Sequence, residues 1–205
     1  MLNELIGAIL QLAVFTLIPF LVFFIKTKSS KGFFDYIGLK ASTPNANAWA
    51  VLACLIFAAP VLFLVFTNAE FKAIMLDPHS LTGKFREMGF SVQAVVILLI
   101  MALVKTSLSE EILFRGFVAK RLISALGFLR GNLLPAAIFG LIHTALFATI
   151  TTNIGFLLLI FIVPGIGAYV SGYLNEKVAN GSIIPGWISH GLANVISYSI
   201  VGFLI

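Results

Sequence analysis

Six long apolar runs cross this chain of 205 residues, separated by short polar stretches. No other feature limits the fold as much. A helix needs about 20 apolar residues to span a bilayer, and inside lipid the backbone must satisfy its own hydrogen bonds, as helices do. The runs are Leu5–Ile25, Trp49–Phe66, a long third helix from Ser91 to Leu126, Leu133–Ala148, Ile154–Leu174 and Ile183–Ile205. Composition agrees. The chain is 60% hydrophobic and only 10% charged, against about 45–50% and about 25% in soluble domains. A soluble core cannot hide so much apolar surface. The reading is all-α: a polytopic membrane helical bundle of about six transmembrane helices plus an interfacial helix. It forms a single transmembrane domain over residues 1–205. An ordinary soluble enzyme and a disordered chain are excluded. The net charge of +5 sits in loops at the membrane surface, so no nucleic acid is expected as a partner.

The first run lacks a basic flank and is too long for a signal-peptide core, so it reads as a retained span. Ser42-Thr43-Pro44 is a helix start. Residues 67–90 are broken by Asp77-Pro78 and Gly83, and contain an interfacial helix with Phe71, Ile74, Met75 and Phe85 dipping into lipid. Cys54, the lone cysteine, is a small core residue. With the N-terminus outside, the inner loops hold Lys26, Lys28, Lys31, Lys40, Lys120, Arg121, Arg130 and Lys177, and the outer loops hold Lys72, Lys84 and Arg86. The excess of basic residues on one side puts both termini on the non-cytoplasmic side.

Ionisable residues inside a span cost about 2.5–3.5 kcal/mol each on insertion scales, and are functional candidates by default. Glu110 and Glu111 are followed by Arg115, and Glu111 and Arg115 lie four apart on one helix face, suited to an ion pair. Glu110 points elsewhere, with nothing nearby in sequence to neutralise it. Phe139 precedes His143 by one helical turn, in the fourth span. His190 and Asn194 share one face of the sixth helix. Lys105 is expected to face a polar cavity or the bundle, and His79 to be a solvated loop residue. At 1.5 Å per residue, Glu110 and His143 each lie roughly 15 Å from the Lys120–Arg121 face, and His190 roughly 10 Å. Three helices thus carry polar groups at comparable depth. Two carboxylates, two imidazoles and an amide in one pocket suit hydrolysis. A carboxylate and a histidine can activate water, and His190 with Asn194 can donate to an oxyanion. The zincin signature His-Glu-x-x-His is absent.

The sequence Glu110-Glu111-x-x-x-Arg115, Phe139-x-x-x-His143 and His190-x-x-x-Asn194 resembles the CAAX protease and bacteriocin-processing (CPBP, Abi) family of intramembrane endopeptidases. The motif-bearing core covers roughly residues 91–205. The resemblance implies that Glu110 and His143 activate the water, that His190 and Asn194 stabilise the oxyanion, and that Glu111 and Arg115 position the site or the substrate chain. Glutamate-type hydrolysis without a cofactor is the expectation. The zinc-dependent alternative has Glu110, His143 and His190 as three ligands and an open fourth position. Besides membrane lipids, the partner is a peptide or protein substrate: a bacteriocin, a peptide precursor or a CAAX-like C-terminus. The location is a bacterial plasma membrane, with the active site opening toward the cytoplasm. Two other readings stay open, a non-catalytic bacteriocin-immunity or scaffold protein of the same fold and a small transporter.

Overall fold

The computed structural model describes residues 2–205, whose regular structure is all helical, with no strand among them. Six helices are long and apolar enough to cross a membrane. They are α1 (Leu2–Thr27), α3 (Pro44–Thr67), α6 (Val92–Leu126), α7 (Phe128–Phe147), α8 (Ile154–Val178) and α9 (Ile184–Leu204). Three short helices lie in the loops: α2 (Phe33–Ile37), α4 (Ala69–Met75) and α5 (Leu81–Met88). The caps are local chemistry. The Thr43 side chain accepts from the Ala46 N–H at 3.2 Å, with Pro44 in the first turn of α3. Ser80, Ser91 and Asn153 cap α5, α6 and α8 in the same way. Each takes up an amide that the helix leaves without a partner.

α9 lies against α3 and α6, α7 pairs with α8, and α1 leans on α6. Large apolar side chains face outward along the spans, among them Ile9, Leu55, Phe63, Leu141 and Leu158. In water such a surface would drive aggregation, and in lipid it is the natural exterior. α6 is not uniformly α-helical. Met101–Leu108 and Glu111–Ala119 run in wider π turns, a form concentrated at functional sites.

Two expectations change. The 67–90 segment holds two helices, and their apolar residues face the protein. Phe85 packs against Ile97, Leu98 and Met101. Ile74 and Met75 join Val65, Phe156 and Ile160 in another core cluster, with Phe71 packed against it. Sequence hydrophobicity marks a face to be covered without saying whether lipid or protein covers it. The fourth span begins at Phe128 rather than Leu133, and Pro135 sits inside it.

The face formed by the α1–α3 and α8–α9 connections is tied together by polar contacts. Gly38, at φ 73°, accepts from the Ile183 N–H at 2.8 Å. A Cβ there would run into the Gly181 carbonyl and the Lys120 side chain. Lys120 binds Glu176, and donates to the Gly181 carbonyl at 2.7 Å. The Arg121 guanidinium lies 3.4 Å from the centre of the Tyr36 ring.

Candidate active site

Glu111 has no exposed side-chain surface. Two nitrogen groups face its Oε1: Arg115 Nε at 3.3 Å and His190 Nδ1 at 3.4 Å. A buried carboxylate without such partners would be prohibitively costly. Arg115 is itself held over the Phe139 ring, 4.2 Å from its centre. The space that Glu111 occupies exists because residue 186 is glycine. A Cβ on Gly186 would collide with Glu111 Oε2 and lie 2.8 Å from Asn175 Nδ2. Asn175 in turn accepts from the Gly186 N–H at 2.9 Å.

His190 stands between the two glutamates. Its Nε2 is 4.0 Å from Glu110 Oε2, opposite the nitrogen that meets Glu111. Glu110 Oε2 is buried, and no protein group hydrogen-bonds to it. Arg115, Glu111, His190 and Glu110 therefore form one string of guanidinium, carboxyl and imidazole groups, which passes from α6 to α9 and back.

His143 is nearer a helix end than expected. It lies four residues before the end of α7 at Phe147, roughly 6 Å along the axis, where mid-span depth was anticipated. Its Nδ1 is 2.9 Å from the Phe139 carbonyl oxygen. A carbonyl can only accept, so Nδ1 carries the proton and Nε2 of the neutral ring keeps its lone pair. Phe139 also packs on this ring, with centroids 4.4 Å apart, and meets His190 edge-on at 5.8 Å. One aromatic side chain thus touches Arg115, His143 and His190.

Asn194, one turn beyond His190, donates through Nδ2 to Thr106 Oγ1 at 2.9 Å. The Tyr198 hydroxyl lies 3.5 Å from the same oxygen. Thr106 and Tyr198 are additions to the sequence reading. Tyr198 could have been found, since residues 190, 194 and 198 recur every four positions on one helix face. Thr106 gives no such signal.

A cavity of about 470 Å³ gathers these groups. Glu110, Arg115, His143, His190, Asn194, Thr106 and Tyr198 all line it, whereas Glu111 lies behind the wall. Its inner end is at Arg115 and Ser171, both buried, and exposed His79 and Thr149 line its other end. His79 is therefore exposed as expected, but at the rim of this cavity. The rim belongs to the face that also carries the start of α1 and the end of α9. Counting helix turns from the Lys120–Arg121 side measured depth from the opposite face. The expected cytoplasmic opening and the expected outward termini thus exclude each other. Lys105 does not face the cavity. It pairs with Glu4 at 3.7 Å, joining α6 to the start of α1.

Among the described residues, no three His, Cys, Asp or Glu side chains form a group that could hold a metal ion. Glu110, His143 and His190 share the cavity without converging as a ligand set.

A family model described as type II CAAX prenyl endopeptidase Rce1-like matches residues 92–196. That range contains all the residues proposed from sequence: Glu110, Glu111, Arg115, His143, His190 and Asn194. No curated protein and no solved structure matches the chain.

Proposed function

The chain belongs to the type II CAAX prenyl endopeptidase Rce1-like family and is a membrane protease of that general kind, and on this footing we propose glutamate-type hydrolysis in the cavity between α6, α7 and α9. The observation that carries the reading is the unpartnered, buried Glu110 Oε2, which shares the cavity with His143 and lies beside His190. A water held by Glu110 and His143 Nε2 loses its proton to Glu110 as its oxygen attacks the scissile carbonyl carbon. The carbonyl electrons move onto oxygen, and His190 and the Asn194 Nδ2–H donate to that oxyanion. Glu110 then passes its proton to the leaving nitrogen as the C–N bond breaks. Glu111 and Arg115 do not touch the reacting atoms. They hold the His190 ring between two carboxylates, so its nitrogens point along a fixed line.

The substrate is a peptide or protein chain in a membrane. A bacteriocin, another peptide precursor and a CAAX-like C-terminus are the classes to offer it. We place the protein in a bacterial plasma membrane as one transmembrane unit over 1–205, with residues 91–205 as the catalytic core. The lysine-rich face then lies at the cytoplasm. The cavity opens on the other side, which replaces the cytoplasmic opening expected from sequence.

Purified protein incubated with a peptide reporter library, with and without a chelator, tests the reading. Cleavage should be unaffected by the chelator. Glu110→Gln, His143→Ala and His190→Ala should each abolish cleavage while keeping a folded, monodisperse protein. Full activity in the Glu110→Gln variant would sink the mechanism, and chelator-sensitive cleavage would establish the zinc-dependent alternative.

A further inference from the structure

We propose that Thr106 is a positioning residue that decides which way the Asn194 amide faces. The proposal rests on the oxyanion role given to Asn194 above. Thr106 Oγ1 lies 2.8 Å from the Met101 carbonyl oxygen. A carbonyl has no proton to give, so the hydroxyl hydrogen is committed there. The Thr106 oxygen is left with lone pairs only toward the cavity. Asn194 Nδ2 meets it at 2.9 Å, and the Tyr198 hydroxyl approaches it at 3.5 Å. Both neighbours must come as donors. An Asn194 amide turned the other way would set its own oxygen against an oxygen that has no hydrogen left to offer.

This choice matters for the chemistry. Nδ2 carries two hydrogens, and with one on Thr106 the second remains for a developing oxyanion. The wide turn over Met101–Leu108 makes the arrangement available. It brings the hydroxyl of residue 106 to a carbonyl five residues back, and the Ala102 carbonyl one residue nearer is a longer 3.5 Å away. In a regular helix, threonine bonds the carbonyl three or four residues back. Thr106, Asn194 and Tyr198 line the cavity together with Glu110.

The test is a double-mutant cycle on the purified full-length enzyme, with kcat and KM measured on a cleaved reporter. Thr106→Val should lower kcat roughly 10- to 100-fold, with KM within about twofold. Thr106→Ser restores the hydroxyl and should keep most of the wild-type kcat. In an Asn194→Ala background, Thr106→Val should cause no further loss, because the group it orients is gone. Thr106→Ala, which only removes atoms, carries the same expectation if the valine variant fails to fold. Wild-type kcat in Thr106→Val beside a defective Asn194→Ala overturns the proposal and leaves the mechanism standing. So does an additive loss in the double variant, or a serine variant as inactive as the valine one. Full activity in Asn194→Ala overturns the oxyanion role itself, and the proposal with it.

Discussion

At the scale of single residues, the site is organised around one fully buried carboxylate. Glu111 is legible in sequence as the partner of Arg115, because i,i+4 spacing is a local property. Its contact with His190, nearly 80 residues away in the chain, follows from the packing of α9 on α6 and no local pattern reports it. Removing the guanidinium strands a buried charge. Arg115→Met should destabilise the protein by about 3–5 kcal/mol, read as a lower thermal midpoint in detergent. Arg115→Lys keeps the charge but loses the flat surface stacked on Phe139, and should fall between Met and wild type. Gly186 tests the other side of the same carboxylate. Gly186→Ala puts a methyl where Glu111 Oε2 sits. Overpacking of this kind costs about 1–3 kcal/mol. Because Glu111 must move away from His190, cleavage should drop by more than the loss of folded protein accounts for. Equal losses in activity and folded fraction would show that Glu111 has no bearing on His190.

At the scale of elements, helix number and cap positions were readable, and helix ends and faces were less so. Apolar length fixes the count of spans, and Thr43-Pro44 and Ser91 are chemical start signals. Residues 128–132 fall outside the fourth apolar run because Arg130, Gly131 and Asn132 interrupt the apolar pattern. The structure answers with tertiary contacts: Gly131 lies against α6, and Asn132 donates to the Tyr169 carbonyl at 2.9 Å. The other end of α7 was legible, since the apolar run to Ala148 stops within one residue of Phe147, and that end brings His143 close to the cavity rim. The close approach of α7 to α8 at Gly140 holds that end in place, since a Cβ there would strike the Phe161 carbonyl. Gly140→Ala should therefore force the two helices apart beside His143, which is three residues on. The expected result is a destabilisation of about 1–3 kcal/mol and a fall in kcat. Gly165→Ala, on the same helix pair, is the control. Its Cβ would sit 3.5 Å from the Ala136 carbonyl, close to ordinary contact, so it should change little.

At the scale of the whole molecule, charge and cavity are distributed unequally between the two faces. Lys26, Lys28, Lys31, Lys40, Lys120, Arg121, Arg130 and Lys177 lie on one face, opposed only by Asp35 and Glu176. On the other, Lys72, Lys84 and Arg86 are balanced by Glu4, Glu70, Asp77 and Glu87. The sequence carried this asymmetry in full. It could not carry the direction of the cavity, which depends on which side of Glu110 the packed helices leave space. Together they predict that substrate reaches the glutamate from the non-cytoplasmic side. The single native cysteine, Cys54, is buried, so introduced cysteines can be read against a low background. Thr149→Cys and His79→Cys, at the cavity rim, should react with a membrane-impermeant maleimide added to intact cells. Arg130→Cys, exposed on the lysine-rich face, should react only after the membrane is opened. The converse pattern would put the rim in the cytoplasm. The excess of lysines would then have been overridden by other determinants of insertion, and substrates would have to be sought among chains that have not crossed the membrane.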